Sequence, residues 1–336
     1  MNHSADETRA SLANNLRYFI KWSLIALLIG GTGGLIGSLF SMGVSFATSF
    51  RMNHPNMLFF LPVSGILIVW LYHTFHEEGN RGTNMVIDAI SSTEKVTLAT
   101  GPLIFVSTVL THIAGGSSGR EGAALQLGGS LGNLFGNAIH LDEKDKKIAI
   151  MCGMSAVFSA LFGTPVAAAI FPLEVISIGV LYYAALVPCI FSSFIGVGIA
   201  RYLGIAGEHF TVLSIPAISV SSVGWIIFLS ALCAGVSIVF CLMLHGAEHT
   251  YRKIFPNPYV RILAASAIFI LLTLLIGTRD YCGSSMPLIE RSMEGEIGYE
   301  AFFLKMLFTA IALGAGFKGG EIVPTLCVGA AFGCAF

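Results

Sequence analysis

The chain has 336 residues, 55% of them hydrophobic and only 11% charged, with a formal net charge of -1. Soluble domains carry about 25% charged residues, so with a mean hydropathy of +0.80 this composition excludes a soluble fold. The near-neutral balance also leaves no basic footprint for nucleic acid. The expectation is an all-α polytopic membrane protein, in contact with the lipid bilayer of the cell membrane.

The first 17 residues are polar and carry Arg9 and Arg17, with Lys21 just beyond. They lack the short apolar region and small-residue cleavage site of a secretory signal. Positive charge before the first span places this N-terminal segment, 1–17, in the cytoplasm. Apolar runs follow at about 18–50, 57–75, 97–114, 123–139, 147–162, 165–200, 217–247, 258–277, 299–317 and 322–336. A spanning helix needs about 20 apolar residues. These runs vary in length and are cut by Gly101-Pro102, Gly163-Thr164-Pro165 and Gly319-Gly320, so broken and tilted helices are expected.

Gly115 to Gly132 is the unusual stretch. It sets a glycine-rich break and Arg120-Glu121 between two apolar runs. A charge at membrane depth costs about 2.5–3.5 kcal/mol on insertion scales and usually marks a pathway or site. The pattern returns two hundred positions later: Gly116, Gly119, Glu121 and Gly129 are matched by Gly316, Gly319, Glu321 and Gly329. Upstream, Gly82-Thr83-Asn84-Met85 is matched by Gly283-Ser284-Ser285-Met286. The chain therefore reads as two repeated transmembrane halves, 18–205 and 206–336. The second is incomplete, because it ends at Phe336 inside an apolar run. Interrupted segments at corresponding places in two halves point to the binding site of a repeat-built transporter.

Helix starts leave backbone N–H groups unpaired and carry about half a positive charge. Glycines there let a ligand approach the backbone, which gives an anion site without a full positive charge. Termini at Thr83, Gly122 and Ile322 are candidates to converge on one small inorganic anion. Glu121 would compete with that anion for the same donors, and its protonation would release them, so anion passage and protons are linked. The plainer alternative is an acidic residue satisfying the helix dipole or pairing with Arg120. Arg120 reads mainly as a partner of carbonyls at the break. Glu321 is either a second titrating group or an acidic first-turn residue, and Lys318 a vestibule charge or a snorkelling side chain.

Other constellations are weaker. His245, Glu248 and His249 fit a zinc-protease spacing, but no third ligand is apparent. Ser117 and Ser118 with His112 suggest an intramembrane serine protease, but nothing selects a serine–histidine pair. His73, His76, Glu77 and Glu78 read as a solvated span end, and 142–147 as a solvated loop. The seven cysteines include no CxxC pair and read as apolar filler. No metal, cofactor or enzymatic activity is expected.

At Gly119-Arg120-Glu121-Gly122 the sequence resembles the CLC family of chloride channels and proton/anion antiporters, whose GREG signature these residues match. Residues 162–174, 319–324 and 82–88 are similar to further segments of that family, and the likeness runs from about residue 15 to 336. The resemblance implies a homodimer with one ion path per subunit and inverted halves. It implies a gating role for Glu121 and anion contacts from Thr83, Gly119, Arg120, Gly122, Ile322 and Val323. Chloride is the first expectation and fluoride the second, as channel or antiporter. Ala123 stands where proline usually follows GREG. The GGE of Gly319-Gly320-Glu321 is similar to the fluoride-exporting branch, although Val323 replaces a threonine there. In this family further helices follow, so the chain reads as C-terminally truncated.

Overall fold

The computed structural model describes residues 2–79, 82–91, 96–175, 182–207, 210, 217 and 219–336, and among them every regular element is helical. Thirteen α-helices follow one another. They are α1 (Asn2–Asn53), α2 (Leu61–Thr74), α3 (Thr83–Ser91), α4 (Thr100–Ile113), α5 (Glu121–Ala138), α6 (Glu143–Phe162) and α7 (Pro165–Val175). After them come α8 (Leu186–Tyr202), α9 (Val220–Ile254), α10 (Pro258–Ile276), α11 (Met286–Glu294), α12 (Ala301–Ala315) and α13 (Ile322–Ala335). Five stretches are long and apolar enough to cross a membrane: Asn14–Asn53, Pro55–Thr74, Tyr183–Tyr202, Val220–Ile254 and Pro258–Ile276. Thr100–Ile113, Pro165–Val175, Ala301–Ala315 and Ile322–Ala335 are apolar but shorter, at 10–17 residues. They are the partial helices that the interrupted runs predict.

The repeated order is visible in the elements. A nine-residue helix, a helix of 14 or 15 residues, a glycine break and another helix occur as α3–α4–α5 and again as α11–α12–α13. Their starts, Thr83 and Met286, Thr100 and Ala301, Glu121 and Ile322, keep a near-constant offset.

Packing divides the chain differently. One compact unit takes Met1–Met42, Arg81–Gly101 and Ala124–Glu208; the other takes Gly43–Asn80, Pro102–Ala123 and His209–Phe336. In the first, α6, α7 and α8 pack mutually. The N-terminal half of α1 closes on them through a stripe of small residues. A Cβ on Gly30 would lie 2.8 Å from the Ser192 carbonyl oxygen, and one on Gly34 2.8 Å from that of Gly196. Lipid tails supply no hydrophobic drive between spans, so close backbone approach is what holds them. At Gly30 and Gly34 a side chain would not fit.

In the second unit α12 packs against α9, α10 and α13, and α2 against α10. Phe240, Met306 and Val328 form a buried cluster at the meeting of α9, α12 and α13. Most of α9 presents apolar side chains outward: among its residues only Phe240 and Tyr251 are buried. Its 35 residues extend about 52 Å at the usual rise of 1.5 Å per residue.

α1 runs from Asn2 to Asn53 without a break. One expectation differs from the structure: the charged run 142–147 is a helix start rather than a loop. The Asp142 carboxylate accepts from the Asp145 N–H at 2.8 Å, and Glu143 and Asp145 occupy the first turn. Such a cap satisfies otherwise unpaired donors, and acidic first-turn residues answer the helix dipole. Lys21 on α1 pairs with Asp145.

Candidate functional site

The two glycine breaks meet in the second unit. Gly119 N–H donates to the Gly320 carbonyl at 2.6 Å, and Gly320 N–H donates to that of Gly119 at 2.7 Å, an isolated antiparallel bridge. Backbones this close leave no room for side chains. A Cβ on Gly119 would lie 2.9 Å from Pro324 Cδ and closer still to the Glu121 carboxylate, and one on Gly320 2.6 Å from the Gly122 nitrogen. The repeated glycines thus bring two helix starts, α5 and α13, to one place.

Glu121 opens α5 and is 1% exposed. Its Oε2 accepts from the Val323 N–H, in the first turn of α13, at 3.2 Å. The backbone amides of Arg120 and Glu121 face the same carboxylate. Its Oε1 makes no hydrogen bond, and neither does the fully buried Ser118 hydroxyl. Buried carboxylate oxygens are normally satisfied, so a half-satisfied carboxylate on two helix starts is an unusual arrangement. The Val323 N–H holds Oε2, and the backbone amides at the start of α5 lie beside the same carboxylate.

Gly119, Arg120, Glu121, Gly122, Ile322 and Val323 therefore lie together in one unit. Glu321 is exposed at the N-cap of α13, without a side-chain capping bond, and its carbonyl accepts from the Thr325 N–H and hydroxyl. Thr83 begins α3 in the other unit and is half-buried; a Cβ on its neighbour Gly82 would lie 3.8 Å from the Gln126 side-chain amide of α5. The Lys318 ammonium sits over the Tyr72 ring, 4.1 Å from its centroid, a cation–π contact.

The rival constellations do not assemble. Ser117 Oγ pairs with Thr309 Oγ1 at 3.0 Å, and His112 Nδ1–H donates to the Thr108 carbonyl at 2.9 Å, so no serine–histidine pair forms. Glu248 pairs with Arg252, and among the described residues no three His, Cys, Asp or Glu side chains gather as metal ligands. His73 pairs with Glu78 at an exposed span end. One buried charge escaped notice in the sequence. Lys305 on α12 is 0% exposed and donates to the carbonyls of Tyr281 at 3.2 Å and Gly283 at 3.3 Å. A lone lysine inside the apolar run 299–317 was the available signal.

Thirteen helices with interrupted spans, and two broken helix starts clasping a buried carboxylate, define a multi-pass membrane protein of the ion-transport class. The sequence pattern of one family, Voltage gated chloride channel, matches residues 64–336, and the chain belongs to this CLC family. It is 30% identical over 325 residues to the Chloride/fluoride channel protein of Pseudomonas syringae pv. tomato, covering 95% of this chain and 72% of that one. It is 24% identical to the H(+)/Cl(-) exchange transporter ClcA of Vibrio cholerae serotype O1, covering 93% and 71%. A crystal structure of a CLC-type fluoride/proton antiporter superposes with a TM-score of 0.89 at 30% identity, covering 94% of this chain and 80% of the other. The fold is the CLC fold. Family membership makes this a transport protein and not an enzyme.

Proposed function

We propose that the chain carries a small monovalent anion across the membrane, with Glu121 as its gate. The observation that supports this reading is the Glu121 carboxylate itself, fully buried, bonded to the Val323 N–H and left with one unpaired oxygen. In this reading the carboxylate occupies the donors an anion needs. Proton uptake neutralises it, and an anion takes its place on the backbone of Gly119, Arg120, Gly122, Ile322 and Val323; the Thr83 hydroxyl is a further candidate contact for the anion. Helix-start sites are worth up to about 2 kcal/mol each when partly buried, which is strong enough to admit an ion and weak enough to release it. Glu321 serves as a second titrating group on the same route.

Fluoride stands beside chloride as the transported anion, because the 30%-identical relatives are named for chloride/fluoride and for fluoride/proton exchange. The protein works as a homodimer, with its N-terminus cytoplasmic and its two repeated halves, 18–205 and 206–336, inverted with respect to each other. In liposomes, efflux followed with fluoride- and chloride-selective electrodes should show flux of at least one anion, accelerated at low pH. Glu121→Gln should abolish the pH dependence and change the rate by tenfold or more, on the order of the loss of one charge-assisted contact. Unchanged rate and pH profile in Glu121→Gln would sink the gating role; silence towards both anions would sink the transport reading.

A further inference from the structure

A second group of charges in the same unit plays no part in the Glu121 site. Arg51, in the last turn of α1, lies against Gly283: a Cβ there would be 2.9 Å from Arg51 Nη2 and 3.0 Å from Cζ. A Cβ on Gly115 would lie 3.2 Å from Arg51 Cδ, and the Gly115 carbonyl accepts from the Gly283 N–H at 2.8 Å. Both glycines have positive φ, +66° and +87°, which folds the two turns around the guanidinium. Lys305 reaches Gly283 too, donating to its carbonyl. One glycine therefore joins two cations from different helices.

Among the described residues neither the Arg51 guanidinium nor the Lys305 ammonium forms an ion pair, and the buried Arg51 Nε makes no hydrogen bond. The groups acting electrostatically on Lys305 are Arg51 and the thiols of Cys282 and Cys327; on Arg51 they are Cys282 and Arg279. No carboxylate is among them. His112, fully buried on α4, feels Arg120, Arg51 and Lys305, and its Nε2 has no partner. Buried charges are paired or coordinated as a rule, because desolvating them unpaired costs several kcal/mol each. Lys305 bears that cost in full, and Arg51, half-buried with its Nε enclosed, adds a second positive charge beside it.

We propose that Arg51 and Lys305, joined at Gly283, hold a small inorganic anion at a site separate from Glu121. The anion supplies the missing counter-charge. The enclosing Gly115 and Gly283 turns and the complete burial of Lys305 favour a halide-sized ion over a lipid phosphate. Residues 115–118 link the Gly115 turn to the Gly119 bridge along the chain.

The test is calorimetric titration of the purified protein with sodium fluoride and, separately, sodium chloride, on wild type, Arg51→Gln, Arg51→Lys and Glu121→Gln. A saturable component should weaken by roughly tenfold or more in Arg51→Gln, persist in Glu121→Gln and return in Arg51→Lys. If Arg51→Gln does not give monodisperse protein, Lys305→Gln replaces it with the same expectation. Isotherms for both anions that match between wild type and the charge-removing variant overturn the proposal. A component lost only in Glu121→Gln belongs to the transport site and overturns it equally, while leaving the transport reading intact. Adding soluble short-chain phosphatidylglycerol to the wild type separates the sources: competition by this lipid at lower concentration than halide would assign the site to a headgroup and overturn the small-ion reading.

Discussion

At the scale of single residues the molecule is governed by how little space surrounds Glu121. An alanine methyl at Gly119 would press on the Glu121 carboxylate and Pro324, and one at Gly320 on the Gly122 backbone. Overpacking of this kind costs about 1–3 kcal/mol. Gly119→Ala and Gly320→Ala should each lower the melting temperature in detergent and reduce anion flux more than tenfold. Wild-type flux from either variant would show that the two breaks separate during transport. That Glu121 sits at a helix start was legible in the sequence, because an acid after a glycine break within apolar runs has few explanations. Its partner was legible only as a candidate. That Val323 N–H meets Oε2, and that Gly119 pairs with Gly320 and not with its repeat-equivalent Gly319, are facts of tertiary contact between segments two hundred residues apart. No local pattern encodes them.

At the scale of elements, the small-residue stripe of α1 gives a paired prediction. A Cβ on Gly34 would lie 2.8 Å from the Gly196 carbonyl oxygen, whereas the nearest neighbour to a Cβ on Gly31 is Ile199 Cδ1 at 3.9 Å. Gly34→Ala should destabilise the fold by about 1–3 kcal/mol. Gly31→Ala should be neutral or stabilise it slightly, since alanine is the better helix former. Equal melting temperatures for the two variants would remove close backbone packing as the reason for the stripe. The cap of α6 gives a second: Asp142→Ala should cost about 1 kcal/mol, read from the same melting curves, and Asp142→Asn should recover most of it. This helix start was missed in the sequence because six consecutive polar residues look like a loop. Only the cap geometry separates a loop from the charged first turn of a helix.

At the scale of the whole molecule, the apolar outer side of α9 tells what surrounds the chain. Trp225, Ile226, Ile227 and Leu242 are all more than half exposed, and such a surface belongs against lipid or another subunit. The repeat was readable from sequence because glycines and glutamates recur at a fixed offset. The compact units were not, since the second gathers Gly43–Asn80 and Pro102–Ala123 of the first half together with His209–Phe336. The same scale decides the zinc-like spacing of His245, Glu248 and His249. With Glu248 committed to Arg252 at 2.8 Å, a metal chelator should leave anion flux in liposomes unchanged. Flux lost on chelation and restored by zinc would reinstate a metal role.

The bridge between Gly119 and Gly320 also has a mechanical meaning. Two hydrogen bonds between two residues make a rivet: the starts of α5 and α13 cannot slide apart without breaking both at once. The softest coordinates left at this point are the side-chain torsions of Glu121, which relax far faster than helices move. If Glu121 is the gate proposed above, it swings on a riveted frame, and the traffic it controls is timed by a few rotating bonds and the protons that free them.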